Sequence, residues 1–274
     1  MSGRNSAGFA SAVLATVCPL CSQFYTKLEP QTTAAFEAYI QKVEQQLKSR
    51  WDDRQAFFSM AASADDRRKL MRGDLLIRPV AGGQNPIEVP DGLIHDWTGA
   101  VFIPNANMQT VLTILQDFDR HSHIYPEIIR SHLIRHEGND LTGYWRLERK
   151  QQFVPAVFDV EQAAHYRQIG PNRWICQSHS EKIREVEDAG SSKEKDMAPG
   201  EGLGLMWRLD AYWSLEADSG GVLAECRTVS LSRSIPNGMG WMIKPFIQNV
   251  PRESLMSTLR NTRRAVEAEG NAPK

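Results

Sequence analysis

The sequence predicts an α+β protein in which a long run of antiparallel strands is followed by one final helix. Between residues 128 and 233, strand-like segments follow one another, and turn-forming residues such as Gly138-Asn139 separate them. One strand and two short helices precede this run, and an amphipathic segment ends the chain. Strands and helices that are segregated along a chain are typical of the α+β class.

The final helix is predicted from Pro251 to about Gly270. Proline suits the first helical position because its missing N–H would be unpaired there in any case, and the carboxylate of Glu253 favours the positive end of the helix dipole. Gly270 is a natural stop. Residues 234–246 before it form an elbow rich in proline and glycine, which joins the last strand to the helix. The positions that recur at helical spacing are Leu255, Leu259, Thr262 and Val266.

Length and composition are those of an ordinary globular protein. A chain of 274 residues, 41% hydrophobic and 24% charged, can build one substantial core with an appendage, or two modest domains. Its net charge of −1 gives no general attraction to nucleic acid or to an anionic membrane. No apolar run approaches the roughly 20 residues that span a bilayer. Neither nucleic acid nor a transmembrane segment is therefore predicted, and transient membrane contact stays open.

Residues 1–22 resemble a secretory signal peptide. Arg4 precedes an apolar run from Phe9 to Leu20, which is the order of charged and apolar residues in such a leader. The alternative is a short buried or flexible N-terminal helix, because no clean small-x-small cleavage triplet follows the run. The sequence thus favours export, to the periplasm or outside the cell, over a cytoplasmic location.

The cysteines give little sign of chemistry. Cys18 and Cys21 form a C-x-x-C, but no βαβ pattern surrounds it, so redox chemistry is disfavoured. Cys176 and Cys226 fall in two predicted strands. They are expected to be small buried apolar residues rather than a disulfide or a metal pair.

Residues 23–90 are predicted to form an N-terminal helical extension. An amphipathic helix covers 31–50, a short charged helix covers 63–72, and a strand covers 74–80. The turn-rich segment 81–92 then marks the boundary with the main domain.

The main domain is predicted to open with a strand over 93–103 and a helix over 108–118, which Asn105 or Asn107 caps. A short helical or turn segment follows. The polar stretch 188–202 is predicted to be a mobile loop. The six later strands are predicted over 128–136, 141–150, 157–168, 173–184, 203–216 and 222–233.

Two motifs carry a resemblance to a known superfamily. Leu115-Gln116-Asp117-Phe118, followed by Tyr125-Pro126-Glu127-Ile128 and Ser131, resembles the turn between the small helices and the second strand of START-like proteins. The chain end, Trp241…Pro245-Phe246…Pro251-Arg252-Glu253-Ser254-Leu255, resembles the elbow of a bacterial START-like subgroup without an assigned chemistry. The chain is therefore similar over about residues 93–269 to the START-like, helix-grip superfamily (SRPBCC), which includes polyketide cyclases and coenzyme-Q-binding START proteins.

The resemblance implies a START-like domain over residues 91–270, in which a curved antiparallel sheet wraps around the long C-terminal helix. It also implies a cavity between sheet and helix that holds a small hydrophobic ligand such as a lipid, an isoprenoid or a polyketide-like molecule. These motifs specify the fold much better than an activity. They say little about the first 90 residues.

Strand alternation selects the residues expected at this cavity. In the segment 203–216, Trp207, Leu209, Ala211, Trp213 and Leu215 share one face, and Arg208, Asp210, Tyr212 and Ser214 share the other. On the next strand, Glu225 and Arg233 either anchor a ligand's head group or lie on a solvated outer face with cross-strand ion pairs. For each aromatic residue the alternative is ordinary core packing. The residues predicted at the pocket or elbow are Trp145, Trp207, Tyr212, Trp213, Glu225, Arg233 and Trp241.

The histidines are the strongest signal for an enzyme. The pair His132 and His136 lies in a predicted strand, where a spacing of four places the side chains roughly 13 Å apart, too far for a single metal ion. His121 or His123, beside Asp117 or Asp119, is a candidate general base. No serine or cysteine stands in a nucleophile motif. No catalytic residue, metal or cofactor is therefore predicted.

Three functions agree with the sequence. The favoured one is non-enzymatic binding or transport of a small hydrophobic ligand. The alternatives are a cyclase- or dehydratase-like enzyme that uses acid–base residues in the same cavity, and an interaction module whose core is filled by its own side chains. The sequence leaves the oligomeric state open.

Overall fold

The computed structural model describes residues 24–80, 86–149, 156–218, 220–235 and 240–270, with the side chains of 240–246 excepted. The predicted signal peptide and the C-x-x-C both lie outside the described residues. The N-terminal extension contains a short strand β1 (Thr26–Lys27) and two helices, α1 (Pro30–Asp52) and α2 (Ala64–Met71). No helix in the described part of the chain is long and apolar enough to cross a membrane.

One large antiparallel sheet forms the centre of the molecule. Its strands run in the spatial order β2-β4-β12-β11-β8-β7-β6-β5, while β3 pairs with β4 and β9 pairs with β8; β10 pairs with β1 in a separate two-stranded sheet. The strands are β2 (Leu76–Pro79), β3 (Ile87–Val89), β4 (Gly92–Pro104), β5 (Ile128–Glu137), β6 (Asp140–Arg149), β7 (Ala156–Gly170), β8 (Arg173–Glu187), β9 (Lys195–Asp196), β10 (Glu201–Gly202), β11 (Arg208–Asp218) and β12 (Gly221–Arg233).

Short helices connect the first long strand to the rest of the sheet. Helix α3 (Met108–Gln116) is capped by Asn107, whose side chain accepts a hydrogen bond from the backbone N–H of Thr110. A 3-10 turn (Phe118–Arg120) and the one-turn helix α4 (His121–Ile124) follow. Helix α5 (Gly240–Gly270) ends the described chain and packs against β4, β12 and α3. This is the α+β, helix-grip arrangement that the START-like resemblance implies, and the predicted fold class is confirmed.

The observed start of the last helix differs from the predicted one. Pro251 does not open it, because α5 begins at Gly240 and takes in most of the predicted elbow. Pro245 and Pro251 lie within the helix, where each lacks the N–H of one intrahelical hydrogen bond. The sequence rule that places proline at a helix start therefore gave a boundary about three turns too late.

Two predicted strand and loop boundaries also differ. The strand predicted over 203–216 begins only at Arg208. The predicted loop 188–202 contains β9 and β10, which attach it to β8 and to the N-terminal strand β1.

Both faces of the sheet are covered. One face, here called the back face, packs against the N-terminal extension, including Phe36 and Trp51 of α1 and Leu70 of α2. The opposite face, here called the inner face, packs against α5 through residues such as Leu255 and Leu259. Helices α1 and α2 of the extension therefore cover the back of the sheet. The division of the chain near residue 90 stays a prediction, and β2 and β3 of the extension join the large sheet.

Gly99 allows α5 to approach the inner face closely. A Cβ atom at this position would lie 2.6 Å from Cδ1 of Leu259 and 3.1 Å from the backbone oxygen of Leu76. A larger residue would therefore displace the side chain of Leu259 on α5 and crowd the backbone of β2.

Candidate functional site

A cavity of about 200 Å³ lies between the inner face and α5. The short helices close one side of it, and the loop before β11 contributes Leu205 and Met206. Most of its lining is apolar. The apolar and aromatic lining residues include Leu115, Phe118, Trp145, Leu147, Phe158, Ala164, Leu209, Ala211, Trp213, Ile247, Val250 and Leu255.

Small side chains on neighbouring strands leave this space open. Ala211 of β11 pairs on one side with Thr228 of β12 and on the other with Ser178 of β8. All three line the cavity, and none of them can fill the gap that a leucine or phenylalanine would fill. The alternation of β12 thus places its small residues on the inner face and its charged residues on the back face.

His121 of α4 lies in the cavity wall as a neutral imidazole. Trp145 Nε1 donates a hydrogen bond to His121 Nδ1 over 3.0 Å. An indole N–H only donates, so Nδ1 is the acceptor, and the proton on Nε2 points to the backbone oxygen of Ile114 at 3.2 Å. Burial lowers the pKa of His121 to about 4, although the hydrogen bond to Ile114 raises it. Both ring nitrogens are therefore occupied, and the ring is uncharged at neutral pH.

Aromatic packing fixes this histidine from two sides. The rings of Phe118 and Trp145 stack with their centroids 5.4 Å apart. Tyr125 packs edge-on against His121, with centroids 5.2 Å apart, and its hydroxyl lies 3.0 Å from the hydroxyl of Thr262 on α5. Burial raises the pKa of Tyr125 to about 12, so this group is also neutral. The contact joins the short helices to the last helix beside the cavity.

One ion pair borders the cavity. Arg149 Nη1 lies 3.1 Å from Glu127 Oε1, and Nη2 of the same arginine donates to the hydroxyl of Ser254 on α5. The exposed fractions of these two charged side chains are 19% and 22%, so the pair lies at the edge of the buried region. Its charges neutralise each other.

A row of neutral polar groups crosses the sheet beneath the cavity. His95 of β4 pairs with Ser230 of β12, and Nε2 of His95 lies 3.0 Å from the hydroxyl of Ser232. On the other flank, Nε2 of Gln162 donates to the hydroxyl of Ser178 over 2.7 Å. Burial lowers the pKa of His95 to about 4, so this imidazole is neutral as well.

The remaining titratable lining residues also stay uncharged at neutral pH. Burial raises the pKa of Cys176 to about 12 and the pKa of Cys226 well above its ordinary range. It raises the pKa of Tyr166 in the same way. Both cysteines are free and buried, which confirms their prediction as small apolar residues. Apart from the pair of Glu127 and Arg149, the described lining carries no charge near pH 7.

Two of the residues predicted at the pocket or elbow line the cavity, and four others do not. Trp145 and Trp213 are lining residues; their contact with a ligand stays a prediction. Trp241 falls within α5, but its side chain lies outside the described residues. Four residues lie away from the cavity: Trp207, Tyr212, Glu225 and Arg233.

Glu225 is a buried anchor for the extension. Its carboxylate lies 2.5 Å from Nη2 of Arg50 and accepts hydrogen bonds from the hydroxyl of Ser59 and the backbone N–H of Met60. It is 3% exposed, so neither a head-group contact nor a solvated outer face describes it. The prediction did not foresee that a helix would cover this face.

The other three residues have separate contacts away from the cavity. Tyr212 belongs to the back face, where its hydroxyl donates to Glu44 of α1 over 3.3 Å. Trp207 precedes the first residue of β11, so strand alternation does not govern it, and it joins the back-face core. Nη1 of Arg233 donates to the backbone oxygen of Phe24 over 2.6 Å, which ties the end of β12 to the N-terminal segment.

The sequence reasoning did not select several polar residues of the cavity. His95 and Gln162 lie on strands whose alternation would have placed them on the inner face, together with Trp97 and Ala164 respectively. Glu127 precedes the first residue of β5, where alternation gives no guide, whereas Arg149 shares the face of Trp145 and Leu147 on β6. Among the described residues, no group of three or more histidine, cysteine, aspartate or glutamate side chains could hold a metal ion.

Comparison with known proteins gives similarity in structure only. No family model and no curated protein matches the sequence. A STAR-related lipid transfer protein from Xanthomonas axonopodis is 16% identical, with a TM-score of 0.47, over 70% of this chain and 92% of that chain. The Zhui aromatase/cyclase from a Streptomyces species is 10% identical, with a TM-score of 0.46, over 65% and 97% of the two chains. Human STARD10 is 11% identical, with a TM-score of 0.44, over 77% and 83%. Similarity at this level does not say what this chain binds.

Proposed function

We propose that this protein binds a small hydrophobic molecule in the cavity between the inner face and α5, and that it does so without catalysis. The observation that carries the proposal is the cavity itself, which is lined mainly by apolar side chains. A concave apolar space with a few polar groups is the usual form of a small-molecule site. The proposal agrees with the similarity in structure to a STAR-related lipid transfer protein.

The cavity volume limits the ligand. About 200 Å³ is below the roughly 300–1,000 Å³ of pockets that hold drug-sized molecules. A molecule with one or two rings, or a single short chain, suits this space better than a lipid with two long chains. A larger ligand would require α5 or the loop around Leu205 to move outward.

The neutral lining favours binding over acid–base catalysis. A general acid or base works best when its pKa lies near the operating pH. The pKa of each cavity histidine is about 4, and both nitrogens of His121 already have hydrogen-bond partners. A catalytic role for His121 would require the loss of the bond from Trp145. The candidate general base of the sequence therefore has the features of a structural residue.

A fluorescent apolar probe tests the proposal directly. We expect 6-propionyl-2-dimethylaminonaphthalene, a two-ring dye whose emission shifts to the blue in apolar surroundings, to bind the full chain saturably with a stoichiometry of one. Ala211→Phe places a ring in the cavity and should abolish this signal. Ala163→Phe is the matched control, because Ala163 is not a lining residue, and should keep it.

Native mass spectrometry of protein purified from its own host identifies the natural ligand. Denaturing extraction should release one small hydrophobic molecule in stoichiometric amount, and Ala211→Phe protein should lack it. Saturable probe binding that is unchanged in Ala211→Phe would place the site elsewhere and contradict the proposal.

A further inference from the structure

We infer that strand β1 of the N-terminal extension is a strap that holds in place the loop at the opening of the cavity, so that ligand exchange requires β1 to separate from this loop. Because the strap acts on the cavity, the inference rests on the proposed function. It goes beyond that function by assigning a role to a segment that does not line the cavity.

The cavity reaches the surface beside the segment 200–207, which includes β10 and is here called the cavity loop. Met206 of this loop lines the cavity and is partly exposed, as are Leu209 on β11 and Val250 on α5. On the side of the short helices, lining residues such as Tyr125 are buried. The described lining therefore places the opening between the cavity loop and α5.

Strand β1 covers the outer side of the cavity loop. It pairs antiparallel with β10 at the start of the loop, and the backbone N–H of Leu28 donates to the backbone oxygen of Gly200 over 2.8 Å. The side chain of Thr26 packs on Gly204, where a Cβ atom would lie 2.8 Å from Cγ2 of Thr26. The strap thus contacts the loop from its start as far as Gly204.

This contact is built to separate more easily than the large sheet. Strand β1 is two residues long and pairs in a sheet of two strands, whereas β12 pairs with β4 along its whole length. The ion pair across it, between Lys27 and Glu201, has side chains that are 70% and 41% exposed, so it adds little stability. Short segments with few buried contacts open locally at a small fraction of the free energy of global unfolding.

The inner side of the cavity loop is held independently of the strap. The carboxylate of Glu185 accepts two backbone N–H groups of the loop, and the backbone N–H of Arg233 donates to the oxygen of Gly204 over 2.8 Å. Gly202 and Gly204 have φ angles of +117° and +70°, which a glycine leaves and regains without strain. Loss of the strap should therefore speed the exchange of ligand without destroying the site.

Stopped-flow fluorescence with 6-propionyl-2-dimethylaminonaphthalene and the full chain tests the inference, because it gives the association and dissociation rates separately. Leu28→Pro removes the N–H that donates to Gly200. We expect both rates to rise about fivefold, while the Kd changes less than about twofold, because the strap covers the free and the bound protein alike.

The matched control is Val80→Pro. It also removes one backbone N–H of the extension, which donates to the oxygen of Asp96 over 3.0 Å beside the edge strand β2. Both rates should be unchanged in this variant.

A cross-link tests the opposite change and serves also if Leu28→Pro does not fold. Residues 27 and 201 lie opposite each other in the antiparallel pair, within the usual reach of a disulfide. In Lys27→Cys/Glu201→Cys protein that also carries Cys18→Ser and Cys21→Ser, oxidation should slow both rates at least about tenfold, and reduction should restore them.

The outcomes separate the strap from the site. If the dye binds but the oxidised protein exchanges it as fast as the reduced protein, the inference is wrong and the proposed function stands. A higher Kd in Leu28→Pro with an unchanged association rate would also overturn it, because β1 would then support the bound state alone. If the dye does not bind, both are wrong.

Discussion

The two faces of the large sheet are formed by the same strands but differ in charge and in packing. On the back face, charged residues are buried in complete pairs beneath the extension; the guanidinium of Arg227, for example, meets Asp96 through bonds of 2.9 and 2.5 Å. On the inner face, the alternate residues of the same strand are small and neutral, and a cavity lies above them. The alternating residues of β12 thus form a packed back face and an inner face that borders the cavity.

The difference follows from how each face is covered. Glu225 of the back face is paired with Arg50 of the extension, so moving the extension away would break a buried ion pair. The inner face has no such requirement, because its groups are neutral and its contacts with α5 are mainly apolar. We therefore expect the back face to be intolerant of change and the inner face to be adaptable.

Breaking the buried pair on the back face should have the largest effect. Arg227→Met leaves Asp96, whose side chain is fully buried, without its cation. We expect the free energy of unfolding in urea to fall by about 3–5 kcal/mol. The protein that remains folded should still bind the fluorescent apolar probe.

Two further variants control this experiment. Arg68→Met removes an exposed pair with Asp65, and it should cost less than about 1 kcal/mol. The double variant Asp96→Leu/Arg227→Met should lose less stability than Arg227→Met alone, because no buried charge is left over. An equal or larger loss in the double variant would contradict the electrostatic explanation.

Glu185 of β8 is an exception to the neutral character of the inner face. Its carboxylate accepts the backbone N–H groups of Leu203 and Leu205, at 2.6 and 2.9 Å, and so fixes the loop that borders the cavity. Burial raises the pKa of Glu185 to about 7, although these hydrogen bonds lower it. Its ordinary pKa is about 4.5.

A raised carboxyl pKa means that the folded state holds the proton more tightly than the unfolded state. The stabilisation from the protonated group is complete below about pH 4.5 and is lost as the pH rises through about 7. Relative to Glu185→Gln, which stays neutral, the free energy of unfolding should fall by at most about 3 kcal/mol across this range. Denaturation curves of both proteins at several pH values measure it, and parallel pH profiles would show that Glu185 is not the cause.

The sequence predicted the order of the elements, because turns and alternation are local properties. Strand alternation alone also places Glu225 on the face of Arg227 and Cys226 on the opposite face, as they are in the structure. It could not show that the extension covers one face and α5 covers the other, because the partner of Glu225 is Arg50, 175 positions earlier in the chain. For the same reason Tyr212 was assigned to the cavity instead of to a contact with α1.

The cavity was harder to predict than the core. A void is the absence of side-chain volume summed over several strands, and no single residue marks it. Ala211 indicates a cavity only when Thr228 and Ser178 are known to lie beside it in the sheet.

The smallest expected effect is the change in stability when an alanine on each face is replaced by valine. Ala211 lines the cavity, whereas Ala100 on β4 is 1% exposed in the packed back-face core. Ala211→Val should change the free energy of unfolding by less than about 0.5 kcal/mol, because the added methyl groups enter open space. Ala100→Val should cost about 1–3 kcal/mol, because the same groups meet filled space. Urea denaturation compares the two variants, and equal losses would mean that the inner face is as tightly packed as the back face.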